Sequence, residues 1–116
     1  MTPEEQVYTR SLLLTGELEP RRQTLLRSFC REAMELLQSR LLPNVEAEDC
    51  GASFIAAAAM YAAAMLAELG DIDGAERFSV GDFSVSQRSG RSVAQSLMAQ
   101  AERLMSPYLR FGFQGV

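Results

Sequence analysis

The chain contains neither histidine nor lysine, and these two absences exclude several kinds of active site. Without histidine there is no imidazole to act as a general base, to complete a Ser-His-Asp triad or to ligate a metal. Without lysine the phosphate-binding loop Gly-x-x-x-x-Gly-Lys cannot be completed. A Gly-x-Ser-x-Gly nucleophile elbow is also missing from the sequence. We therefore expect that the protein is not an enzyme and has no catalytic residue, cofactor or metal.

Cysteine is scarce as well, with only Cys30 and Cys50 in the chain. The two residues are isolated and lack the spacing of a metal site, so we expect reduced thiols that pack inside the protein. The chain does not begin with a basic region followed by an apolar stretch and a small-residue cleavage site. No signal peptide is predicted, and we expect a cytoplasmic location.

The 116 residues, 47% hydrophobic and 22% charged, predict one domain over 1–116 with a single modest core. The net charge of −4 argues against general affinity for nucleic acid and leaves at most a non-specific contact with DNA. Charge alternates along the chain, because 1–20 and 43–76 are acidic whereas 21–42 and 77–116 are basic. These blocks are either solvated helix faces, the commoner case, or complementary surfaces between subunits.

Apolar periodicity and capping residues predict four helices, of which the first is short. The second carries a broad apolar stripe, with Arg31 and Glu35 expected to form an i,i+4 ion pair on its opposite side. The predicted helices are 3–14 before Gly16, 20–41 before Pro43, roughly 46–69, and a last one that Ser92 caps and that Pro107 ends or kinks.

The centre of the third helix, 54–67, is apolar all round, and eight of its fourteen residues are alanine. Fourteen residues are too few to span a bilayer, and alanine contributes little to insertion, so no membrane association is predicted. We expect this helix at the centre of the bundle, packed on several sides, with one face available to another subunit.

Segment 77–87 is the only one with a β pattern. Apolar residues alternate with serine on both sides of Gly81-Asp82, but out of phase, so one straight strand would put them on opposite faces. A two-residue turn at Gly81-Asp82 brings all four apolar residues onto one face. These four residues are Phe78, Val80, Phe83 and Val85. The predicted fold is therefore mainly α, a bundle of four helices with a short β-hairpin between the third and the last.

The C-terminal tail, 110–116, carries Phe111 and Phe113 between glycines. A chain terminus with nothing to bury is normally polar. We expect these two side chains to dock, either on this domain or on a partner.

Two segments, 79–86 (SVGDFSVS) and more loosely 105–109 (MSPYL), resemble the head–tail connector proteins of tailed bacteriophages and their prophage copies. Members of this family, also called head completion or neck proteins, are small and helical. They form a ring beneath the portal, where they extend the DNA channel and provide the docking surface for the tail. The resemblance implies a structural protein without catalytic activity, a homo-oligomer with portal and tail-side proteins as partners, in the bacterial cytoplasm and the assembled virion.

If the resemblance holds, the interface with a neighbouring subunit or the portal falls on the β segment and the tail. The candidate residues are Phe78, Val80, Gly81, Asp82, Phe83, Val85, Phe111 and Phe113. Whether the predicted hairpin packs on its own helices or on a neighbour stays open. The alternative is a small helical adaptor or regulator without a viral role, dimeric through the alanine-rich helix.

Overall fold

The computed structural model describes residues 1–69, 79–80, 83–84 and 90–110. Four α-helices account for most of these residues, in the order that the sequence predicted. They are α1 (Pro3–Thr15), α2 (Pro20–Ser39), α3 (Ala52–Leu69) and α4 (Gly90–Met105), with a short 3-10 helix at Ala47–Cys50 before α3.

Helix α1 begins and ends as its sequence predicts. The Thr2 hydroxyl accepts a hydrogen bond from the Glu5 backbone N–H at 3.1 Å, and the Glu5 carboxylate accepts one from the Thr2 N–H at 3.0 Å. This reciprocal capping box satisfies N–H groups that have no partner inside the helix. Gly16, with φ at 80°, ends the helix in a conformation that residues with a side chain rarely adopt.

Two predicted helix starts are wrong. The continuous helix over 46–69 is interrupted at Gly51, whose φ of 61° separates the 3-10 helix from α3. A carboxylate at Asp49 accepts a hydrogen bond from the Glu46 N–H at 2.9 Å and so caps the 3-10 turn separately. The last helix begins at Gly90, so Ser92 lies inside its first turn and is not the N-cap residue.

Helix α3 is the central element, as predicted, and it packs against α1, α2 and α4. Every alanine between 56 and 67 is buried. Because alanine carries only a methyl group, the neighbouring helices can approach the α3 backbone closely. By length and composition α3 could cross a membrane, but this says little by itself, since 61% of it is buried in the protein and core helices meet the same criteria.

The predicted fold class is wrong in its β component. Pairing in the described part of 77–87 is limited to Ser79–Val80 and Phe83–Ser84, with Ser79 opposite Ser84 and Val80 opposite Phe83. Two residues a side fall below the three to ten that make up an ordinary strand. The fold is therefore four helices, with no β-hairpin as an element of the described architecture. The rest of the predicted hairpin lies outside the described residues.

The ends of α2 and α4 are joined by a backbone pairing of 40–42 with 108–110, which we call the clasp. Leu41 and Leu109 form an antiparallel bridge, and both side chains are buried. The backbone hydrogen bonds of the clasp are Leu42 N–H to Tyr108 O at 2.9 Å and Arg110 N–H to Arg40 O at 2.8 Å. Helix α4 ends at Met105, and Pro107 follows in a turn, as the sequence predicts.

Candidate functional site

The eight residues predicted as an interface are only partly described. The backbones of Val80 and Phe83 are partners in the two-residue pairing. The other six lie outside the described residues: Phe78, Gly81, Asp82, Val85, Phe111 and Phe113. The described geometry does not bring the eight together, and their role in an interface stays a prediction.

The described residues form a shallow apolar groove between α2 and α3, with a volume of about 520 Å³. We call it the α2–α3 groove. Its lining is Phe29, Glu32 and Leu36 from α2 with Met65, Glu68 and Leu69 from α3. Leu36 is 38% exposed and Leu69 is 59% exposed, so the groove presents apolar surface to solvent.

The groove exists because the apolar stripe of α2 is wider than the core it covers. Leu26, Cys30, Ala33 and Leu37 recur at three- and four-residue spacing and are fully buried. Phe29 and Leu36 belong to the same predicted stripe but lie at its edge, so they remain partly exposed. Sequence reasoning found the stripe, but it could not tell which edge the neighbouring helix would leave uncovered.

A polar cluster lies one helical turn beyond the groove. The Arg40 guanidinium donates a hydrogen bond to the Tyr61 hydroxyl at 2.8 Å, and that hydroxyl donates to the Glu102 carboxylate at 3.3 Å. Arg40 and Glu102 are also 3.7 Å apart as an ion pair. Burial raises the pKa of Tyr61, and the positive charge of Arg40 opposes this effect. The cluster joins α3 to α4 and to the end of α2, and it satisfies a hydroxyl whose side chain is only 1% exposed.

Sequence reasoning missed this cluster because its members come from three separate parts of the chain. In the sequence, Tyr61 is part of an apolar run and Glu102 is one of two acids in a basic block. The single available signal was a tyrosine within that run, since a buried tyrosine hydroxyl usually has a hydrogen-bond partner.

The arginines on the outer face of α2 contact α1. Arg31 pairs with Glu4 at 3.2 Å instead of with Glu35, so the predicted i,i+4 ion pair is wrong. The Arg27 guanidinium lies over the Tyr8 ring, 3.9 Å from its centre. Both contacts lie at the surface and contribute little stability. They nevertheless join the basic block 21–42 to the acidic block 1–20.

Both cysteines are free and buried, as predicted. The Cys30 sulfur lies 3.5 Å from the Ser11 hydroxyl, and the Cys50 thiol donates to the Glu46 carbonyl at 3.6 Å. Burial raises the pKa of each thiol, which lowers the fraction of reactive thiolate at neutral pH. The geometry therefore fits packing and not nucleophilic chemistry.

A second cleft, of about 430 Å³, opens between the start of α1, the end of α2 and the 3-10 helix. Its polar lining consists of two glutamines and two glutamates, Gln6, Gln38, Glu46 and Glu48. Within 1–69, 79–80, 83–84 and 90–110, no group of three or more Cys, Asp or Glu residues is arranged to hold a metal ion.

Comparison of the chain with protein-family models, with curated proteins and with solved structures finds no match.

Proposed function

We propose that this protein is a structural assembly protein, resembling a phage or prophage head–tail connector, that forms a ring between the portal and the tail. The observation that carries the proposal is the pair of segments 79–86 and 105–109, which resemble that family in both residues and order along the chain.

The described geometry supports the proposal in one respect. The second segment of the resemblance, 105–109, closes the helical bundle through the clasp, with Met105 fully buried and Leu109 only 3% exposed. A Ser-Pro-Tyr turn that returns the chain to the end of α2 therefore has a defined structural role.

The alternative is an adaptor that dimerises through its alanine-rich helix. The surface that this dimer would need is buried inside the chain. The alanines of α3 from 56 to 67 are covered by α1, α2 and α4 of the same chain. A second subunit could contact them only if one of these helices moved away. We therefore favour the assembly role.

The test is to mix the purified protein with the portal protein encoded nearest to it in the same genome, and to look for rings by negative-stain electron microscopy and native mass spectrometry. We expect a ring on the portal, and we expect Val80→Asp and Val85→Asp to abolish it. The matched control is Ala52→Asp, which adds the same charge at an exposed position at the start of α3.

A monomer or dimer that does not bind the portal would contradict the proposal. So would rings that tolerate both valine substitutions, because segment 79–86 would then have no part in assembly. Neighbouring genes that encode no portal, capsid or tail protein would also argue against it.

A further inference from the structure

The α2–α3 groove combines apolar surface with uncompensated negative charge. Two carboxylates lie in its lining, Glu32 from α2 and Glu68 from α3, and its described lining includes no cationic residue. Neither carboxylate forms an ion pair with a described residue. The groove therefore fits an apolar group that carries a positive charge beside it, because such a group buries apolar surface and is complementary to the two acids.

The first helix presents a group of this kind. Leu13 is 78% exposed, and Arg10, three residues before it, lies on the same face of α1. This face points away from the core, since Leu13 is about 200° around the helix from the buried Ser11. Arg10 is exposed and forms no ion pair with a described residue. We call Arg10 and Leu13 the α1 knob.

The knob and the groove lie on different sides of the molecule. Arg27 stacks on Tyr8 of α1, so α1 lies on that side of α2. Leu36 comes nine residues after Arg27 and therefore points about 180° away from it around α2. The described lining of the groove accordingly includes no residue of α1. Leu13 can enter such a groove only in a second copy of the chain.

We propose that the α1 knob of one copy binds in the α2–α3 groove of the next, with Leu13 against the apolar lining and Arg10 against Glu32 and Glu68. Because the two surfaces differ, the contact is head-to-tail, and each copy uses its knob on one neighbour and its groove on the other. Such contacts close into a ring when the rotation between subunits permits it. The contact rests on the assembly role proposed above, and it names the surfaces through which the subunits of the ring meet.

Cross-linking between differently substituted chains tests whether the two surfaces meet. A Leu13→Cys chain is mixed with a Leu36→Cys chain and treated with a short bis-maleimide; the native Cys30 and Cys50 are buried and should stay unlabelled. We expect mixed dimers, detected by mass spectrometry. In the matched control the second chain carries Leu104→Cys, because Leu104 on α4 is 38% exposed, as Leu36 is. This pair should cross-link far less.

The apolar part of the contact is tested by self-association without the portal, measured by sedimentation velocity over a range of concentrations. Leu13→Ser should weaken self-association about 10- to 100-fold, the loss expected when one leucine side chain is no longer buried. Leu104→Ser, the same change at an exposed position of α4, should leave it unchanged. Both substituted positions are on the surface, so both variants should fold.

The charged part is tested by reversal and rescue in the same assay. Arg10→Glu should weaken self-association, because it brings a third carboxylate into an acidic groove. Adding Glu32→Arg and Glu68→Arg to that chain should restore self-association. Arg103→Glu, which makes the same charge change at an exposed position of α4, should have no effect.

Equal cross-linking of Leu13→Cys to Leu36→Cys and to Leu104→Cys would overturn the contact, and so would a chain that stays monomeric at millimolar concentration. Rings on the portal that withstand Leu13→Ser would also overturn it but would leave the assembly role intact. Cross-linking through the groove in a chain that does not bind the portal would have the reverse meaning. The head-to-tail contact would then stand, and the role between portal and tail would fail.

Discussion

Ala58 is fully buried at the middle of α3, and enlarging it should destabilise the protein strongly. Ala58→Leu adds three carbon atoms where neighbouring helices pack directly on the alanine face. Inserting methylenes into a close-packed core costs about 1–3 kcal/mol, because neighbouring side chains must leave their preferred rotamers or the backbone must shift. Helix propensity does not offset this cost, since leucine and alanine are both good helix formers.

The same substitution at Ala52 is the control. Ala52 begins α3 but is exposed, so Ala52→Leu changes the same helix by the same atoms without entering the core. We expect it to alter the free energy of unfolding by less than about 0.5 kcal/mol, the usual range for surface substitutions. Against a total stability of about 5–15 kcal/mol, the difference between the two variants is easily measured.

The assay is urea unfolding followed by far-ultraviolet circular dichroism, with the slope of the transition compared between variants. For a chain of this size, Ala58→Leu should lower the melting temperature by about 4–12 °C. If Ala58→Leu costs no more than Ala52→Leu, the alanines are not packed as described. If it instead changes the concentration dependence of self-association, the alanine face contacts another subunit, and the adaptor alternative regains its basis.

Three further predictions concern single groups. Tyr61→Phe should cost about 1 kcal/mol at pH 7, from the lost hydrogen bonds. Burial raises the pKa of Tyr61, so the unfolded chain loses the phenol proton first as the pH rises past about 10. The wild-type advantage should therefore shrink above that pH in urea titrations, and an advantage that is constant to pH 11 would contradict this. Cys30, fully buried with a raised pKa, should react with a thiol reagent at pH 8 only as fast as the protein unfolds, so labelling at the rate of a free thiol would refute its burial. Leu109→Ala should cost about 2–5 kcal/mol by opening a cavity at the clasp, whereas Leu104→Ala, at a 38% exposed site, should cost much less; equal losses by thermal melting would rule out a structural clasp.

The helices could be predicted because each is specified locally. Apolar spacing, a capping threonine and a terminating glycine act within a few residues of one another, and the structure confirms α1 and the central position of α3 on those signals. The interruption at Gly51 was missed because a single glycine inside an acidic helix start is also compatible with a continuous helix. Its positive φ became visible only in the structure.

The prediction of a β-hairpin in 77–87 was wrong for a different reason. The alternation around Gly81-Asp82 indicates which residues would face each other, but not how far the pairing extends. Extent depends on cross-strand contacts and on a surface for the apolar face, and two serine-rich strands supply little of either. In the described residues the pairing comprises Ser79 with Ser84 and Val80 with Phe83.

The alternating charge blocks gain a simpler explanation from the structure. Glu4 of the first acidic block binds Arg31 of the basic block that follows. Arg40 of that block binds Glu102, which is an acid within the last basic block. Opposite charges far apart in sequence are therefore matched within one chain. At these two contacts the opposite charges do not require a second subunit.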